Sequence, residues 1–409
     1  MDILNDAYAL VIERIGKDIG FSLALFLGAL SYIVLRLFLR IAQRLLCFVR
    51  SRRRTLNAIA RRYTENGPLE GKGLWLTRPI HQPENYQTNL LAAKILAIAN
   101  LKGGVGKTTI ATTVGSCFAH DWGKKVLLVD LDYQGSLSSM AFAENRSWIP
   151  GPNQTSIATK AISNDFDPGL LLDCIKNIPG MPGLDLVPAY YDLAQADNRI
   201  PIEWLLKCQP PAAEGILQAI GDLAYGKLFR IYDVRYTLAE LLHSTALRAA
   251  YDLIIIDCPP RLTTGAIQAF CASSHLLIPT ILDRPSAEAV ISFVEQIEAF
   301  KSQGIFPYIH HVGVVGARVP EGSVAARQSR TFLHARFGAM DTEATLLPLD
   351  KEFPQAAALV RNPEEGIAYP HICGDQRNQN ICNAIRTLTQ HIANDMGIPQ
   401  PIAQPLAAQ

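Results

Sequence analysis

Lys102-Gly-Gly-Val-Gly-Lys-Thr-Thr109 is the most informative stretch of this 409-residue chain. The apolar run KILAIANL precedes it and predicts a buried strand, while TTIATTVGSCFAH overlaps its end with the apolar spacing of a helix. Glycines between a strand and a helix let backbone N–H groups surround phosphate oxygens, and the helix N-terminus adds the positive end of its dipole. The sequence therefore predicts a phosphate-binding loop.

Two side chains of this loop have separate expected tasks. The Lys107 ammonium is expected to bridge the β- and γ-phosphates of a nucleotide, and the Thr108 hydroxyl to coordinate Mg²⁺. Backbone groups supply the other contacts. The predicted phosphate-binding residues are Gly103, Gly104, Val105, Gly106, Lys107, Thr108 and Thr109.

Two further strand-like runs end in carboxylates. Asp132 follows KVLLVDL, and Asp257 follows DLIII. A carboxylate at the C-terminal tip of a parallel strand can hold a hydrated Mg²⁺, so we expect a metal site formed by Thr108, Asp132 and Asp257. Asp132 is expected to point to the γ-phosphate region. Asp130 lies on the same strand face and is the alternative, as a functional, structural or supporting carboxylate.

From Lys94 onward, apolar strand-like runs alternate with helical patterns. The runs are KILAIANL, KVLLVDLD, LDLVPAY, DLIIIDCP, HLLIPTIL, HVGVVGAR and TEATLLPLD. Continuous β-branched runs between helices are typical of a parallel sheet that is covered on both faces. The sequence predicts a doubly wound α/β domain with a mostly parallel sheet over residues 94–398, followed by a flexible tail at 399–409.

Residues 1–50 form an apolar and basic N-terminal helical segment. No charged residue occurs in the 17 residues from Ile19 to Leu35. As a helix this run is about 26 Å long, which is at the short edge of what spans a bilayer. We expect residues 19–49 to contact a membrane, either by spanning it or by lying on it. The alternative is an amphipathic helix that packs on a partner protein.

The charges around this segment set its expected orientation. Nine arginines and no acidic residue occur between Arg36 and Arg62, whereas only Arg14 and Lys17 precede the apolar run as basic residues. If the segment spans the bilayer, the positive-inside rule places the C-terminal side, with the phosphate site, at the cytoplasmic face of a bacterial membrane and the N-terminus outside. If the segment packs on a partner instead, the chain is cytoplasmic.

Between the two regions, residues 51–93 begin basic and continue with Gly, Pro and Asn, which indicates a linker or extension. Residues 141–180 and 201–235 read as insertions without recognisable chemistry. The eight cysteines contain no CxxC pair and no zinc-like histidine spacing, so we expect reduced thiols.

The motifs KGGVGKTT, VLLVDLDYQGSLS and YDLIIIDCPP, in this order, resemble the ParA/MinD family of deviant Walker ATPases over about residues 94–350. The resemblance implies bound ATP and Mg²⁺, slow hydrolysis stimulated by a protein partner, and a homodimer that sandwiches ATP. It implies catalytic roles for Lys102, Lys107 and Asp132. Lys102 would reach the partner subunit's phosphates, where a second lysine adds charge stabilisation, and Asp132 would orient the attacking water.

The resemblance is weaker for the residues that would contact the adenine base and for those that would contact the cargo. The family often contacts the base with an asparagine, where this chain has Arg318. Family members that bind DNA non-specifically use exposed basic residues, for which Arg318, Arg327, Arg330 and Arg336 are the candidates. Arg327 and Arg330 share a helical face, although arginines on a helix are often only solvated.

Three functional classes fit these motifs to different degrees. The first is a membrane-tethered ATPase for partition or positioning of DNA or protein cargo. The second is an ATPase subunit of a larger membrane or defence assembly that uses the N-terminal helix for protein interaction. A bacterial tyrosine kinase is disfavoured, because Tyr369 is isolated near the C-terminus and DLDYQG matches the ParA pattern better.

Overall fold

The computed structural model describes the chain in segments. These are residues 6, 9–14, 16, 30–43, 75–76, 79, 82–92, 94–143, 145–163, 166–207, 233–319, 323–348, 352–354 and 367–400. The chain divides into two compact units, one of Met1–Thr64 with Cys208–Asp222 and one of Glu65–Lys207 with Leu223–Gln409. Most of the predicted linker lies outside the described residues, as do residues 208–232 of the predicted insertion at 201–235 and residues 401–409 of the predicted tail at 399–409.

The described strands of the second unit form one eight-stranded sheet. They are β1 Ile95–Ile98, β2 Val126–Asp130, β3 Lys176–Asn177, β4 Leu184–Val187, β5 Leu253–Asp257, β6 His275–Thr280, β7 His310–Val319 and β8 Phe353–Pro354. The order is β3-β4-β2-β5-β1-β6-β7-β8, and among these strands only β3 runs antiparallel to its neighbour. The predicted mostly parallel α/β fold is confirmed.

Helices connect these strands. They are α1 Tyr86–Ala92, α2 Lys107–His120, α3 Ser136–Phe142, α4 Ile157–Ile162, α5 Pro168–Cys174, α6 Asp192–Lys207, α7 Thr237–Leu242, α8 Thr245–Ala250, α9 Thr264–Ala272, α10 Arg284–Ser302, α11 Val324–Phe337, α12 Tyr369–Gly374 and α13 Gln379–Met396. Both faces of the central strands are buried. Leu96 and Ile98 of β1 join the hydrophobic core that contains α2 and α13, while Ile95 and Ala97 are also fully buried. Continuous apolar strands are the expected result of such coverage.

Helix α2 lies close against the sheet because of Gly115. A Cβ atom at this position would lie 2.8 Å from a Leu128 methyl carbon of β2, so a larger residue would push the helix away. At its C-terminal end, Asp121 accepts hydrogen bonds from Tyr369 Oη at 2.8 Å and from Arg386 Nε at 2.7 Å. These contacts fix α12 and α13 to the helix that begins at the phosphate loop.

One pair of cysteines differs from the sequence expectation. Cys373 and Cys382 form a disulfide between α12 and α13. The expectation of reduced thiols throughout is therefore wrong for this pair, because a helical turn and a loop bring together two cysteines nine residues apart. The free cysteines among the described residues are Cys117, Cys174, Cys258 and Cys271.

The described end of the predicted linker packs on the rest of the second unit. Tyr86 and Leu90 of α1 are buried. Gln82 Nε2 donates to Tyr236 Oη at 3.0 Å and to the Gly304 carbonyl at 2.8 Å. Residues 82–92 are therefore held by both apolar burial and hydrogen bonds. The predicted insertion at 141–180 contains α4, α5 and β3.

The N-terminal segment is described as a helix over residues 30–43. Its large apolar side chains are between 47% and 67% exposed, and Arg36 stacks over the Tyr32 ring at 5.2 Å. Residues 19–29 and 44–49 of the predicted membrane segment lie outside the described residues. In the described part of the chain, no helix combines the length and apolar character that crossing a membrane requires.

Candidate functional site

The phosphate loop joins β1 to α2 at the C-terminal edge of the sheet. Gly104 and Gly106 have φ angles of 72° and 89°, in the left-handed region where a side chain is strained. Gly106 also caps α2, and a Cβ there would lie 3.6 Å from the Ala317 Cβ of β7. The glycines thus allow the turn that points backbone N–H groups inward at the start of a helix.

Lys107 is the first residue of α2 and is 7% exposed. Its Nζ donates to the Lys102 carbonyl at 3.2 Å. Burial lowers the pKa of Lys107, and the nearby Asp257 and Asp132 carboxylates oppose that shift. A cation held in a partly dry pocket near the loop is suited to phosphate oxygens, because their charge replaces the water that the ammonium has lost.

Thr108 and Asp257 lie side by side at the same edge. Thr108 Oγ1 donates to Asp257 Oδ2 at 2.7 Å, and Asp257 Oδ1 is buried without a hydrogen-bond partner among the described residues. Burial, together with the nearby Asp130 charge, raises the pKa of Asp257 to about 8. A hydroxyl beside a buried carboxylate oxygen that lacks a hydrogen bond fits a hydrated Mg²⁺, because the ion or its water would give that oxygen a favourable contact.

Asp130 and Asp132 have different environments. Asp130, at the end of β2, is fully buried and pairs in register with Asp257. Its carboxylate accepts from the Asp132 N–H at 3.0 Å and from Ser138 N–H and Oγ–H at 3.0 and 2.7 Å. Both oxygens are therefore used to hold the loop that carries Asp132. Burial still raises the pKa of Asp130 to about 7.

Asp132 lies in that loop and is partly exposed. Its Oδ1 accepts the Gln134 N–H at 3.0 Å, and its carbonyl accepts the Gly135 N–H at 2.8 Å. Because β2 and β5 are neighbours, the side chain lies at the same edge as Lys107 and Asp257, as the sequence predicts. Its roles toward water and metal stay predictions.

Lys102, at the head of the loop, contacts the start of α10 in its own chain. Its Nζ donates to Ser286 Oγ at 2.5 Å and lies 3.7 Å from Asp283 Oδ1, with the two charged side chains 37% and 43% exposed. Asp283 Oδ1 also accepts the Ser286 N–H at 2.7 Å and caps α10. The predicted trans-acting lysine is therefore held in cis by side chains that sequence analysis did not single out.

A second carboxylate was also missed from sequence. Asp197 of α6 accepts the Gly265 N–H at 3.0 Å at the start of α9, the helix that follows the loop after Asp257. Burial raises the pKa of Asp197 to about 6, and Asp132 adds to the shift. The available signal was an acidic residue shortly after LDLVPAYYDLA, where the chain leaves the same edge of the sheet.

The predicted DNA-contacting face on α11 requires a correction. Arg330 pairs with Glu352, and its side chain is 11% exposed, whereas Arg327 is exposed. Arg330 therefore cannot form a free basic surface with Arg327, because Glu352 neutralises it at a buried contact. Arg336 remains half-exposed and lies 4.0 Å from Glu295. Arg318 was expected on the same helix, but it belongs to strand β7, and its side chain lies outside the described part of the structure.

The chain is similar to known proteins over the part that holds this site. A family model described as an AAA domain matches residues 93–206 and 216–307, about half of the chain. The chromosome partitioning protein ParA of Caulobacter vibrioides is 26% identical over 245 residues, which cover 60% of this chain and 77% of the relative.

Two solved structures share the fold. A McdA variant from Cyanothece in complex with ATP has a TM-score of 0.54 at 19% identity and covers 76% of this chain and 99% of its own. Cobyrinic acid a,c-diamide synthase from Mycobacterium smegmatis, with a bound ATP analogue and magnesium, has a TM-score of 0.51 at 21% identity and covers 76% and 100%. At these identities the likeness concerns the fold alone.

Proposed function

Because this chain belongs to the ParA/MinD family of P-loop ATPases, we propose that it is a slow, Mg²⁺-dependent ATPase that dimerises around ATP and positions or partitions DNA or protein cargo. The observation that carries the proposal is the convergence of Lys107, Thr108 and Asp257 at one edge of the sheet. A protein partner is expected to stimulate turnover. The name of the Caulobacter relative supports partition as the process.

The residues of the loop divide the binding work. Backbone N–H groups from Gly103 to Thr109 surround the phosphates, and Lys107 supplies a cation that water does not shield. Thr108 and Asp257 are the side chains placed to hold Mg²⁺, which would neutralise phosphate charge when bound. Asp132 would then orient a water molecule toward the γ-phosphate, since it lies at this edge on a loop fixed by Asp130.

In a dimer, Lys102 would contact the phosphates of the other subunit, a role that its own phosphate site does not require. Lys107 already provides a lysine to the loop, so a second ammonium contributes most at the phosphates of another subunit. Lys102 is partly exposed and held by one hydrogen bond and one solvent-screened ion pair. These contacts are weak enough to exchange for a phosphate across an ATP-dependent dimer interface.

ATP binding tests the first part of the proposal. Lys107→Ala should weaken binding of a fluorescent ATP analogue by about a hundredfold, because the phosphate charge loses its buried counter-ion. Lys125→Ala is the matched control, since Lys125 is exposed and immediately precedes β2, at the opposite end of the strand from the site. Equal ATP affinity in the two variants would remove the basis of the proposed function.

We place the protein at the cytoplasmic face of a membrane through residues 1–50. The support is the helical segment 30–43, whose apolar side chains are exposed among arginines. Ile33→Asp with Leu37→Asp should move the full chain from the membrane pellet to the supernatant and leave ATP binding unchanged. Leu170→Asp on α5 changes a similarly exposed leucine, 57% exposed against 59%, and should leave the protein in the pellet.

The membrane proposal fails if the Ile33 and Leu37 variant still sediments with membrane after a salt wash. Capture of the parent chain by a protein complex without membrane would instead favour the assembly-subunit alternative.

Non-specific DNA is proposed as a further contact through the exposed Arg327 and Arg336. Affinity for random duplex should rise with ATP and fall steeply with salt, because neutralised phosphates release counter-ions. Charge reversal at both positions should remove the binding, whereas unchanged binding would exclude this surface.

A further inference from the structure

Helix α6 contacts the region after Asp257 near its N-terminal end. Asp197 Oδ1 accepts the Gly265 N–H at 3.0 Å, and the Asp197 carbonyl accepts Thr264 Oγ1 at 3.0 Å. Thr264 and Gly265 are the first two residues of α9. They directly follow the loop at 258–263 that leaves the Mg²⁺ carboxylate. One residue of α6 therefore holds the end of this loop by both its side chain and its backbone.

Pro201 explains why the backbone of Asp197 is available. Pro201 lies inside α6, four residues after Asp197, where an ordinary residue would donate its N–H to the Asp197 carbonyl. Proline has no N–H, so that carbonyl lacks its intrahelical donor. Thr264 supplies the replacement from another helix. The proline thus converts a bond within α6 into a bond between α6 and α9.

The other end of α6 holds the chain segment that arrives from the N-terminal region. Trp204 stacks on Trp75 with ring centroids 6.1 Å apart and an angle of 7° between the planes. Arg235 lies over the Trp204 ring at 5.4 Å and donates to the Trp75 carbonyl at 3.0 Å. Asp233 pairs with that guanidinium and keeps it in place. Trp75 is the first described residue after the segment 30–43.

Between these contacts, α6 is buried along one side. Leu193, Ala196, Ile200 and Trp204 recur at helical spacing and are each at most 5% exposed. About 10 Å of helix separates Asp197 from Trp204 at the usual rise per residue. A displacement at Asp197 therefore reaches Trp204 without being absorbed by loose packing.

We propose that Asp197 is a positioning residue that ties the loop after Asp257 to α6, so that ATP at the phosphate site changes the Trp75–Trp204 stack. This rests on the proposed ATP binding. The ATP site is thus coupled to the chain segment at Trp75, which lies in the sequence between residues 1–64 and the phosphate loop. Asp197 works as a hydrogen-bond acceptor in this role, and its negative charge is not required.

Tryptophan fluorescence of the full chain tests the coupling, since the stack contains two of the four tryptophans. The measured quantity is the difference in tryptophan emission between the ATP-bound and the ADP-bound protein. The part of this difference that is lost in Trp204→Phe is assigned to the stack. Asp197→Ala should remove most of that part, because the loop after Asp257 then loses its side-chain bond to α6. Asp197→Asn should retain it, because the amide oxygen still accepts the Gly265 N–H.

The matched control removes a different polar anchor of the same helix. Asp192 Oδ2 accepts the Ser156 N–H at 2.8 Å and does not contact α9 in the described structure. Asp192→Ala should therefore leave the ATP-dependent signal in place. The ATP affinity of Asp192→Ala should stay within about twofold of the parent's, because the described contacts of Asp192 lie outside both the phosphate loop and α9.

Pro201→Ala gives an independent test that keeps the Asp197 carboxylate and is compatible with a folded helix. The new N–H competes with Thr264 for the Asp197 carbonyl, so the signal should fall although α6 becomes more regular. Loss of the signal in Asp197→Ala and Pro201→Ala, with retention in Asp197→Asn and Asp192→Ala, supports the proposal.

Three outcomes overturn the coupling. These are a parent that binds ATP without any change at the stack, an Asp197→Ala variant with the parent's signal, and an Asp192→Ala variant with an equal loss. Absence of ATP binding by the parent is a distinct result, because it overturns the proposed function and the coupling with it.

Discussion

The cis contacts of Lys102 should oppose dimerisation, and their removal should strengthen the ATP-bound dimer. Asp283→Asn is the sharpest change, because asparagine still caps α10 by accepting the Ser286 N–H while the ion pair with Lys102 is lost. Less free energy is then needed to move the Lys102 side chain away from its contacts within its own subunit.

The expected size follows from exposure. The Lys102 and Asp283 side chains are 37% and 43% exposed at a separation of 3.7 Å, so solvent screening limits the pair to about 0.5 kcal/mol. A symmetric dimer releases two such lysines, which gives about 1 kcal/mol or about fivefold in the dimer Kd. Adding Ser286→Ala removes the hydrogen bond at 2.5 Å and contributes about 1 kcal/mol more for each subunit.

The assay is the dimer Kd from sedimentation equilibrium with ATP and Mg²⁺. The control is Asp283→Asn in a Lys102→Ala background, which should remain monomeric with ATP. There it should have no effect on association, because the charge that it frees is absent. An unchanged or weaker dimer in the single variant, or an ATP-dependent dimer in the Lys102→Ala background, would refute this reasoning.

Three further substitutions have separable outcomes. Lys107→Ala should lower ATP affinity by about a hundredfold, the usual result of truncating one partner of a buried charged contact, as measured by equilibrium titration. Asp132→Ala should retain ATP binding and slow single-turnover hydrolysis by about a hundredfold if the carboxylate orients water, whereas parental turnover would exclude that role. Burial lowers the pKa of His275 from 6.5 to about 4, so the unfolded chain binds this proton first and stability falls as the pH drops through that window. By pH 5 the loss is about 2 kcal/mol in urea unfolding, and His275→Gln should remove that part of the acid sensitivity.

The central part of the fold could be predicted from sequence because its signals are local. Apolar runs mark β1, β2 and β5, and the glycines between β1 and α2 mark the turn. Parallel neighbours then bring the residues after these strands to one edge. The 2.7 Å contact between Thr108 and Asp257 is the result of that rule, although 149 residues separate the two.

Other features depend on pairings that no local pattern encodes. Lys102 contacts Ser286 across 184 residues, and Asp197 contacts Gly265 across 68. Arg330 has the spacing of an exposed helical arginine, but the packing of Glu352 against β7 near Gly316 decides its environment. The Cys373–Cys382 pair lies outside any CxxC spacing and becomes close only when α12 turns into α13.

The central claim is that ATP makes this chain dimerise through Lys102, and multi-angle light scattering tests it directly. The parent should have twice the monomer mass with ATP and Mg²⁺ and the monomer mass with ADP. Lys102→Ala should bind ATP yet remain monomeric with both nucleotides, because each site then lacks the lysine of the other subunit. A Lys102→Ala variant that dimerises with ATP and hydrolyses it like the parent would contradict the account.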